Sequence, residues 1–216
     1  MSIPLLYILI GVAFILPKIP IIGKFFNIIN TAIHELGHAL MTLLIDGKVH
    51  KIELLGDSSG VTVTQSKSKL GSFFIALAGY PFAAATGWLL LFMNSVGYEK
   101  GVVVGLPLLF LIMLIFWIRN IYGIIWALLF IGLNVSLIYY DKTNWITIAA
   151  NFYAIAIIME SLSSSFVILY LSFFRSDSAG DAANLQKITH IPTFFWGVLF
   201  CTFSCFMGYW CWKLLF

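Results

Sequence analysis

The fold of this chain is decided by one stretch, Asn27-Ile-Ile-Asn-Thr-Ala-Ile-His34-Glu35-Leu-Gly-His38-Ala-Leu-Met-Thr42, which contains the pattern H-E-x-x-H. On a helix, residues four apart lie on one face, about 6 Å apart along the axis. His34 and His38 can therefore direct two imidazole nitrogens at a single metal ion. Glu35 lies beside them, where it can accept a proton from a metal-activated water. The pattern predicts a metal site with its own general base.

Zinc suits such a site, because a catalytic zinc centre needs three protein ligands and one open position for water. Zinc lowers the pKa of its water from about 15.7 to about 7, so hydroxide becomes available at neutral pH. The alternative interpretation is a helix in which both histidines are hydrogen-bonded structural residues. The chain has only four histidines, so a chance H-E-x-x-H is rare and the metal site is favoured.

The residues around the motif also favour a functional site over a structural one. Six polar residues recur at spacings of three and four and form one stripe on a helix predicted over about residues 25–45: Asn27, Asn30, Thr31, His34, His38 and Thr42. The remaining residues of this segment are mostly Phe, Ile, Leu, Ala and Met. Ionisable residues at membrane depth are costly and by default indicate function.

Composition places the chain in a membrane. Of its 216 residues, 61% are hydrophobic and 10% are charged, and the mean hydropathy is +1.00. A soluble domain has about a quarter of its residues charged. We therefore expect an all-α polytopic membrane protein with a single domain over residues 1–216, embedded in a lipid bilayer and without a nucleic-acid partner.

Seven apolar segments predict about six to seven transmembrane helices, at residues 3–16, 25–45, 70–93, 101–118, 121–140, 145–174 and 193–216. The first segment is short for a span of about 20 residues. The segment 145–174 is long, and the sequence leaves open whether it forms one tilted helix or a broken pair. Glu160 lies in the middle of this segment, and we favour a structural, hydrogen-bonded role for it over a role in the site.

Residues 46–69 predict a small interfacial β-hairpin. Val61-Thr-Val-Thr-Gln65 alternates with period two and follows a turn rich in Gly and Ser, at residues 56–60. Because strands with an open edge cannot stand in lipid, this hairpin is expected at the interface or against a protein cavity. Its edge could bind an extended peptide by β-addition, or the hairpin could be an ordinary connection.

Residues 175–192 are the other strongly polar stretch, predicted to form a loop and a short helix that ends before Pro192. Asp181 is placed to cap the N-terminus of this helix. A catalytic zinc site needs a third ligand beyond His34 and His38. The sequence offers seven candidates for it: Asp181, Asp177, Glu160, His190, His50, Glu53 and Glu99.

These residues resemble the site-2-protease-type intramembrane zinc metallopeptidases, especially their small bacterial, fungal and plant branch. Five elements carry the resemblance and span most of the chain: His34-Glu35-Leu36-Gly37-His38-Ala39, Gly60-Val-Thr62, Ala78-Gly79-Tyr80-Pro81, Trp117-Ile-Arg119-Asn120, and Gly180-Asp181-Ala182-Ala-Asn-Leu185 with Thr189-His-Ile191-Pro192. The chain lacks the longer Asn-Pro-x-x-Asp or Leu-Asp-Gly pattern that other members of the family have around the downstream Asp.

The resemblance implies that Asp181 completes a zinc site with His34 and His38, with Asp177 as the second choice, and that Glu35 is the catalytic base. It implies a multi-pass zinc endopeptidase that cleaves membrane-embedded or membrane-adjacent polypeptides, in the cell membrane if the source is bacterial. The alternative function is a non-proteolytic scaffold or a metal-handling membrane protein with the same fold. An intact Glu35 argues against that alternative, because metal binding alone needs no base beside the ligands.

Overall fold

The computed structural model describes residues 3–20 and 22–216, which form eight α-helices and one two-stranded antiparallel sheet. The helices are α1 (Ile3–Ile15), α2 (Ile22–Leu44), α3 (Lys69–Ser95), α4 (Glu99–Phe116), α5 (Ile121–Tyr140), α6 (Thr143–Phe174), α7 (Gly180–Thr189) and α8 (Thr193–Leu215). The strands β1 (Lys48–Leu54) and β2 (Gly60–Gln65) form the predicted hairpin between α2 and α3. The all-α polytopic fold with a small hairpin is confirmed.

Five helices, α3, α4, α5, α6 and α8, are long and apolar enough to cross a membrane. The segments Pro4–Lys18 and Ile22–Leu44 meet at 101° and together make a sixth candidate span. The chain is an integral, multi-pass membrane protein. Its six candidate spans are the lower end of the predicted range of six to seven. Helix α1 has 13 residues, which gives about 20 Å and falls short of a bilayer core of about 30 Å.

Helix α6 resolves the alternative that the sequence left open, because it is one continuous helix of 32 residues. At 1.5 Å per residue it is about 48 Å long, which exceeds the bilayer core. It packs against α3 and α8 over much of its length. Its middle therefore lies inside the helical bundle, close to the motif helix α2.

The outer edge of β1 is closed by the short connection between α4 and α5. The amide of Ile52 donates to the Trp117 carbonyl at 2.8 Å, and the Arg119 amide donates to the Ile52 carbonyl at 3.2 Å. The Asn120 side chain accepts from the Leu54 amide at 3.1 Å and donates to the Leu54 carbonyl at 2.6 Å. Both edges of β1 are therefore hydrogen-bonded, one to β2 and the other to the connection between α4 and α5.

The outer edge of β2 is open within the described residues. Ile52 faces Thr62 across the ladder, and Leu54 faces Gly60. The backbone groups of Ile52 and Leu54 point away from β2, so these are non-hydrogen-bonded pairs. In such a pair the amide and carbonyl groups of both residues point away from the partner strand. The amides and carbonyls of Gly60 and Thr62 consequently face the open side.

The hairpin is fixed to α2 by side-chain contacts. The Thr31 hydroxyl donates to the Ser58 carbonyl in the turn at 2.7 Å. In the same turn, Asp57 accepts hydrogen bonds from the amide and the hydroxyl of Ser59 at 3.0 and 2.6 Å. These hydrogen bonds lower the pKa of the Asp57 carboxyl and keep the turn closed. The open edge of β2 is thereby held beside the polar face of α2.

Candidate metal centre

The polar stripe of α2 faces a cavity of about 790 Å³. Helix α2 contributes Asn30, Thr31, His34, Glu35 and His38 to its lining. The hairpin, α3, α6 and α7 provide the other walls. Four of the six residues in the predicted stripe, Asn30, Thr31, His34 and His38, therefore line one wall of this cavity.

His34, His38 and Asp181 meet in this cavity. Nε2 of His34 and Nε2 of His38 are 3.0 Å apart. Asp181 Oδ2 lies 3.2 Å from each of these two nitrogens. Four-coordinate zinc with ligand distances of about 2.05 Å requires neighbouring donor atoms about 3.3 Å apart. The three atoms therefore lie at nearly the separations that a tetrahedral zinc ion needs.

The atoms of His38 and Asp181 that face the centre of the site can offer lone pairs to a metal ion. Nδ1 of His38 lies 2.7 Å from the Ile75 carbonyl oxygen, which can only accept, so a neutral His38 carries its proton on Nδ1. Its Nε2 then offers a lone pair to the centre of the triangle. Asp181 Oδ2 is buried and has no hydrogen-bond donor among the described residues. A cation fits this set, and the bond from His38 to Ile75 is the kind of outer contact that orients metal-binding histidines.

Asp181 reaches the histidines from the first turn of α7. That helix begins at Gly180, whose φ of +48° lies in the left-handed region that favours glycine. Asp181 is therefore inside the helix, and the expectation that it caps the N-terminus is wrong, because Ala179 holds that position without a side-chain bond. Helix α7 ends at Thr189, before Pro192, as predicted.

The other candidate ligands lie elsewhere. Asp177 is exposed in the turn before α7, and His190 ends that helix on the surface. His50 bonds to Gln65, Glu53 pairs with Lys51, and Glu99 stands at the start of α4. Across residues 3–20 and 22–216, the one cluster of three potential metal-binding side chains is His34, His38 and Asp181.

Glu35 is buried, and its carboxylate is held by the hairpin. The Thr62 hydroxyl lies 2.6 Å from Glu35 Oε2 and donates to it. A Cβ atom at Gly60 would lie 2.8 Å from Glu35 Oε1, so only glycine fits at this point of β2. The hairpin thus fixes the orientation of the predicted base, a role for Thr62 that the alternating pattern did not reveal.

Helix α3 approaches the two histidines at Gly79. A Cβ atom at this position would lie 2.5 Å from His34 Nε2 and 2.6 Å from His38 Nε2. Tyr80, the next residue, packs its ring edge-on against His34 at a centroid distance of 4.7 Å and stacks on Phe200. Sequence reasoning did not assign these residues to the site, although small residues such as those at 78 and 79 signal close helix approach.

Glu160 also lines the cavity, together with Ser164 one turn further along α6. The sequence favoured a structural, hydrogen-bonded acid at this position. Within the described residues, however, the Glu160 carboxylate makes no hydrogen bond and no ion pair. The structure therefore places it on the wall of the site instead of in a structural network.

Replacing either histidine by alanine is expected to abolish stable zinc binding. His34→Ala or His38→Ala leaves two donor atoms, and a catalytic zinc site needs three protein ligands. The measurement is the zinc content of each purified variant beside the wild type. A matched control is His50→Ala, which removes an exposed histidine bonded to Gln65 outside the cavity and should retain zinc. Full zinc occupancy in either motif variant would contradict the shared site.

Comparison with known proteins gives the family of the chain. A search of curated proteins and a search of solved structures each found no match. A family model described as Peptidase M50B-like matches residues 5–211. This match agrees with the resemblance to site-2 proteases that the H-E-x-x-H helix carries, and it covers all of the residues that line the cavity. Because the match extends over nearly the whole chain, the protein belongs to the Peptidase M50B-like family, a family of membrane metallopeptidases.

Proposed function

We propose that this chain is a zinc-dependent endopeptidase that hydrolyses peptide bonds in or next to the membrane. The observation that supports it most is the convergence of His34, His38 and Asp181 on one point beside the buried carboxylate of Glu35. This convergence occurs inside a bundle of apolar helices long enough to span a bilayer. A metallopeptidase acting on polypeptides follows from the family, and the intramembrane position of the reaction is our proposal.

The two histidines and Asp181 would hold Zn²⁺, which when bound polarises the scissile carbonyl and acidifies water. Glu35 accepts the proton of the attacking water and then passes it to the leaving amine. The hydrogen bond from Thr62 keeps one carboxylate oxygen occupied, so the other remains for the proton. Ile75 holds the His38 ring in the tautomer that leaves Nε2 free.

The open edge of β2 supports an extended polypeptide as the substrate. Gly60 and Thr62 direct unpaired backbone groups outward, and residues of β2 line the same cavity as the histidines. A peptide chain can add to such an edge through main-chain hydrogen bonds, largely independent of its sequence. A helical substrate segment would have to unwind first, and the edge would stabilise the unwound form. The cavity volume of about 790 Å³ is in the range of ordinary ligand pockets.

The rival function is a scaffold or metal-handling protein with the same fold. Metal binding alone would require the three ligands and no oriented base. Glu35 is buried and is held by a dedicated hydrogen bond from the hairpin, with Gly60 providing the space for it. Keeping a carboxylate buried costs stability, and an ionisable group at membrane depth by default serves a function. This arrangement supports hydrolysis over the rival function.

The substitution Asp181→Asn tests the third ligand directly. It keeps the size of the side chain but replaces a carboxylate oxygen by a poorer amide donor. Mutating a residue that only hydrogen-bonds to a metal ligand already lowers metal affinity about 10–100-fold. Weakening a ligand itself should therefore lower zinc affinity at least about tenfold. Zinc affinity and cleavage of a transmembrane model peptide are measured together, and both are expected to fall.

The matched control for that experiment is Asp177→Asn, the same chemical change at an exposed residue four positions upstream. It should leave zinc affinity and cleavage unchanged. A charge in the first turn of a helix typically contributes no more than about 1 kcal/mol to stability, so a purely structural role of Asp181 in the first turn of α7 predicts little effect of Asp181→Asn on zinc affinity. Normal zinc affinity in Asp181→Asn together with a loss in Asp177→Asn would move the ligand to Asp177.

A further inference from the structure

Glu160 is the one Asp, Glu, Lys or Arg residue of α6. Between Lys142 and Arg175 the sequence contains no other charged residue. Glu160 lies near the middle of a helix that is long enough to cross the whole bilayer. An ionisable group at that depth is costly to maintain and by default serves a function.

The carboxylate has no protein partner that would account for its place. Glu35 receives a hydrogen bond from Thr62, and Asp181 lies against the two histidines, but Glu160 contacts no donor within the part of the chain that the structure describes. Lys187 lines the same cavity on the α7 side, without an ion pair to Glu160 within 4.0 Å. The acid therefore faces the cavity unpaired.

The neighbours of Glu160 make that wall polar. Ser164 lies one helical turn away on the same face, and its hydroxyl donates to the Ser161 carbonyl. His34, His38 and residues of β2 line the same cavity as Glu160 and Ser164. Because side chains alternate along a strand, a peptide bound along β2 would direct one row of its side chains into this cavity, which Glu160 lines.

We infer that Glu160 is a specificity-determining residue of this cavity, which binds a cationic side chain, Lys or Arg, of the polypeptide held along β2. The inference rests on the proposed function and names the substrate feature that the site selects. An unpaired carboxylate at membrane depth is compensated by a cation that carries hydrogen-bond donors, and a charge-assisted hydrogen bond is about twice as strong as a neutral one. The alternative pairing, with Lys187 of the same chain, is tested by the same experiment.

The probes are fluorescein-labelled, Leu- and Ala-rich peptides of about 20 residues in detergent micelles. Each carries a single Lys or, in the matched peptide, a single norleucine, which has a similar apolar stem without the ammonium group. The substitution is moved along successive positions of the peptide. Wild type should cleave the Lys peptide at least about tenfold faster, by kcat/KM, at one or two positions. Glu160→Gln should reduce this ratio toward one, and Glu160→Asp should retain part of it.

The control is Glu99→Gln, the same chemical change at the start of α4, outside the cavity. It should keep the wild-type ratio of Lys to norleucine cleavage. Zinc content is measured in every variant, so that a misfolded protein is recognised. A wild-type ratio near one at every position would overturn the inference without any variant. A Lys-to-norleucine ratio in Glu160→Gln equal to that of the wild type would overturn the inference as well. The same holds if Lys187→Met increases this ratio while Glu160→Gln leaves it unchanged.

Binding separates this inference from the proposed function. Fluorescence anisotropy measures the affinity of the same peptides for Glu35→Gln and for the double variant Glu35→Gln/Glu160→Gln. A Lys preference in the first protein and its loss in the second would support the inference even if wild type cleaves no peptide, in which case the proposed function fails alone. Cleavage without a Lys preference would leave the proposed function intact and overturn the role of Glu160.

Discussion

Glu35→Gln is expected to retain zinc and to lose at least about 10²-fold of its peptide cleavage, the usual cost of removing a general base. The three donor atoms of His34, His38 and Asp181 are unchanged by this substitution. The amide of Gln can still accept the hydrogen bond from Thr62, so the hairpin should keep its position. What is lost is the proton acceptor. The measurement is zinc content and kcat of the purified variant in parallel.

Two results would contradict this expectation. Cleavage near the wild-type rate in Glu35→Gln would show that another group is the base. Loss of zinc together with loss of cleavage would show that Glu35 helps to hold the metal, and the loss of rate would then say nothing about proton transfer. Glu99→Gln, an acid removed outside the cavity, should behave as wild type in both measurements.

Gly79→Ala is expected to weaken zinc binding strongly, by a steric clash with both histidines. The added methyl group would lie 2.5 Å from His34 Nε2 and 2.6 Å from His38 Nε2, far inside van der Waals contact. Either the imidazoles turn away or α3 retreats from α2, and both movements separate the donor atoms. Zinc affinity should fall at least about tenfold, as for loss of an orienting contact. Isothermal titration of the metal-free protein with zinc measures it.

The chain provides a matched control at Gly132, a helical glycine in α5 where an added Cβ atom would have no neighbouring atom within 4 Å. Gly132→Ala should leave zinc affinity unchanged, because the methyl group enters open space. Alanine is also the better helix former, by about 1 kcal/mol. Equal zinc affinity in Gly79→Ala and Gly132→Ala would show that the close approach of α3 to the histidines is unimportant.

The local part of the site could be predicted from the sequence. The positions of His34 and His38 follow from helical spacing alone, since α2 is a regular helix over the whole motif. The polar stripe identified the side of α2 that faces the cavity for the same reason. The hairpin followed from the period of two in β2 and from its turn residues.

The long-range part of the site could not be derived from local patterns. Asp181 was selected through family resemblance, and the residues alone left seven candidate ligands. The local rule even suggested the wrong role for it, because an Asp next to a helix start usually caps the helix. Gly79 and Thr62 act through contacts with a different helix, so no periodicity within their own segments marks them. For Glu160 the sequence favours a structural, hydrogen-bonded role over a role in the site, because it does not show which face of α6 borders the cavity.

The structure gives the lower end of the predicted range of six to seven spans for a physical reason. The polar stripe of α2 lowers the hydropathy of that helix, and it passes as a span only together with the preceding segment. Predicting each apolar segment as a separate span therefore counts α1 and α2 as two spans, although together they make one candidate span. The alternative of a broken helix at 145–174 was decided by the structure in favour of one helix, α6.

The separation of the donors along the chain has a consequence for biosynthesis. His34 and His38 emerge early from the ribosome, whereas Asp181 lies roughly 140 residues later, after most of the apolar helices have been made. A nascent chain with only the early helices inserted lacks the third donor and has no complete site. Joining the two regions through a shared ion would close one very long loop, and the entropic cost of loop closure grows only slowly with loop length. The complete set of three donor atoms would thus be present only after α1 to α6 and the start of α7 have been made.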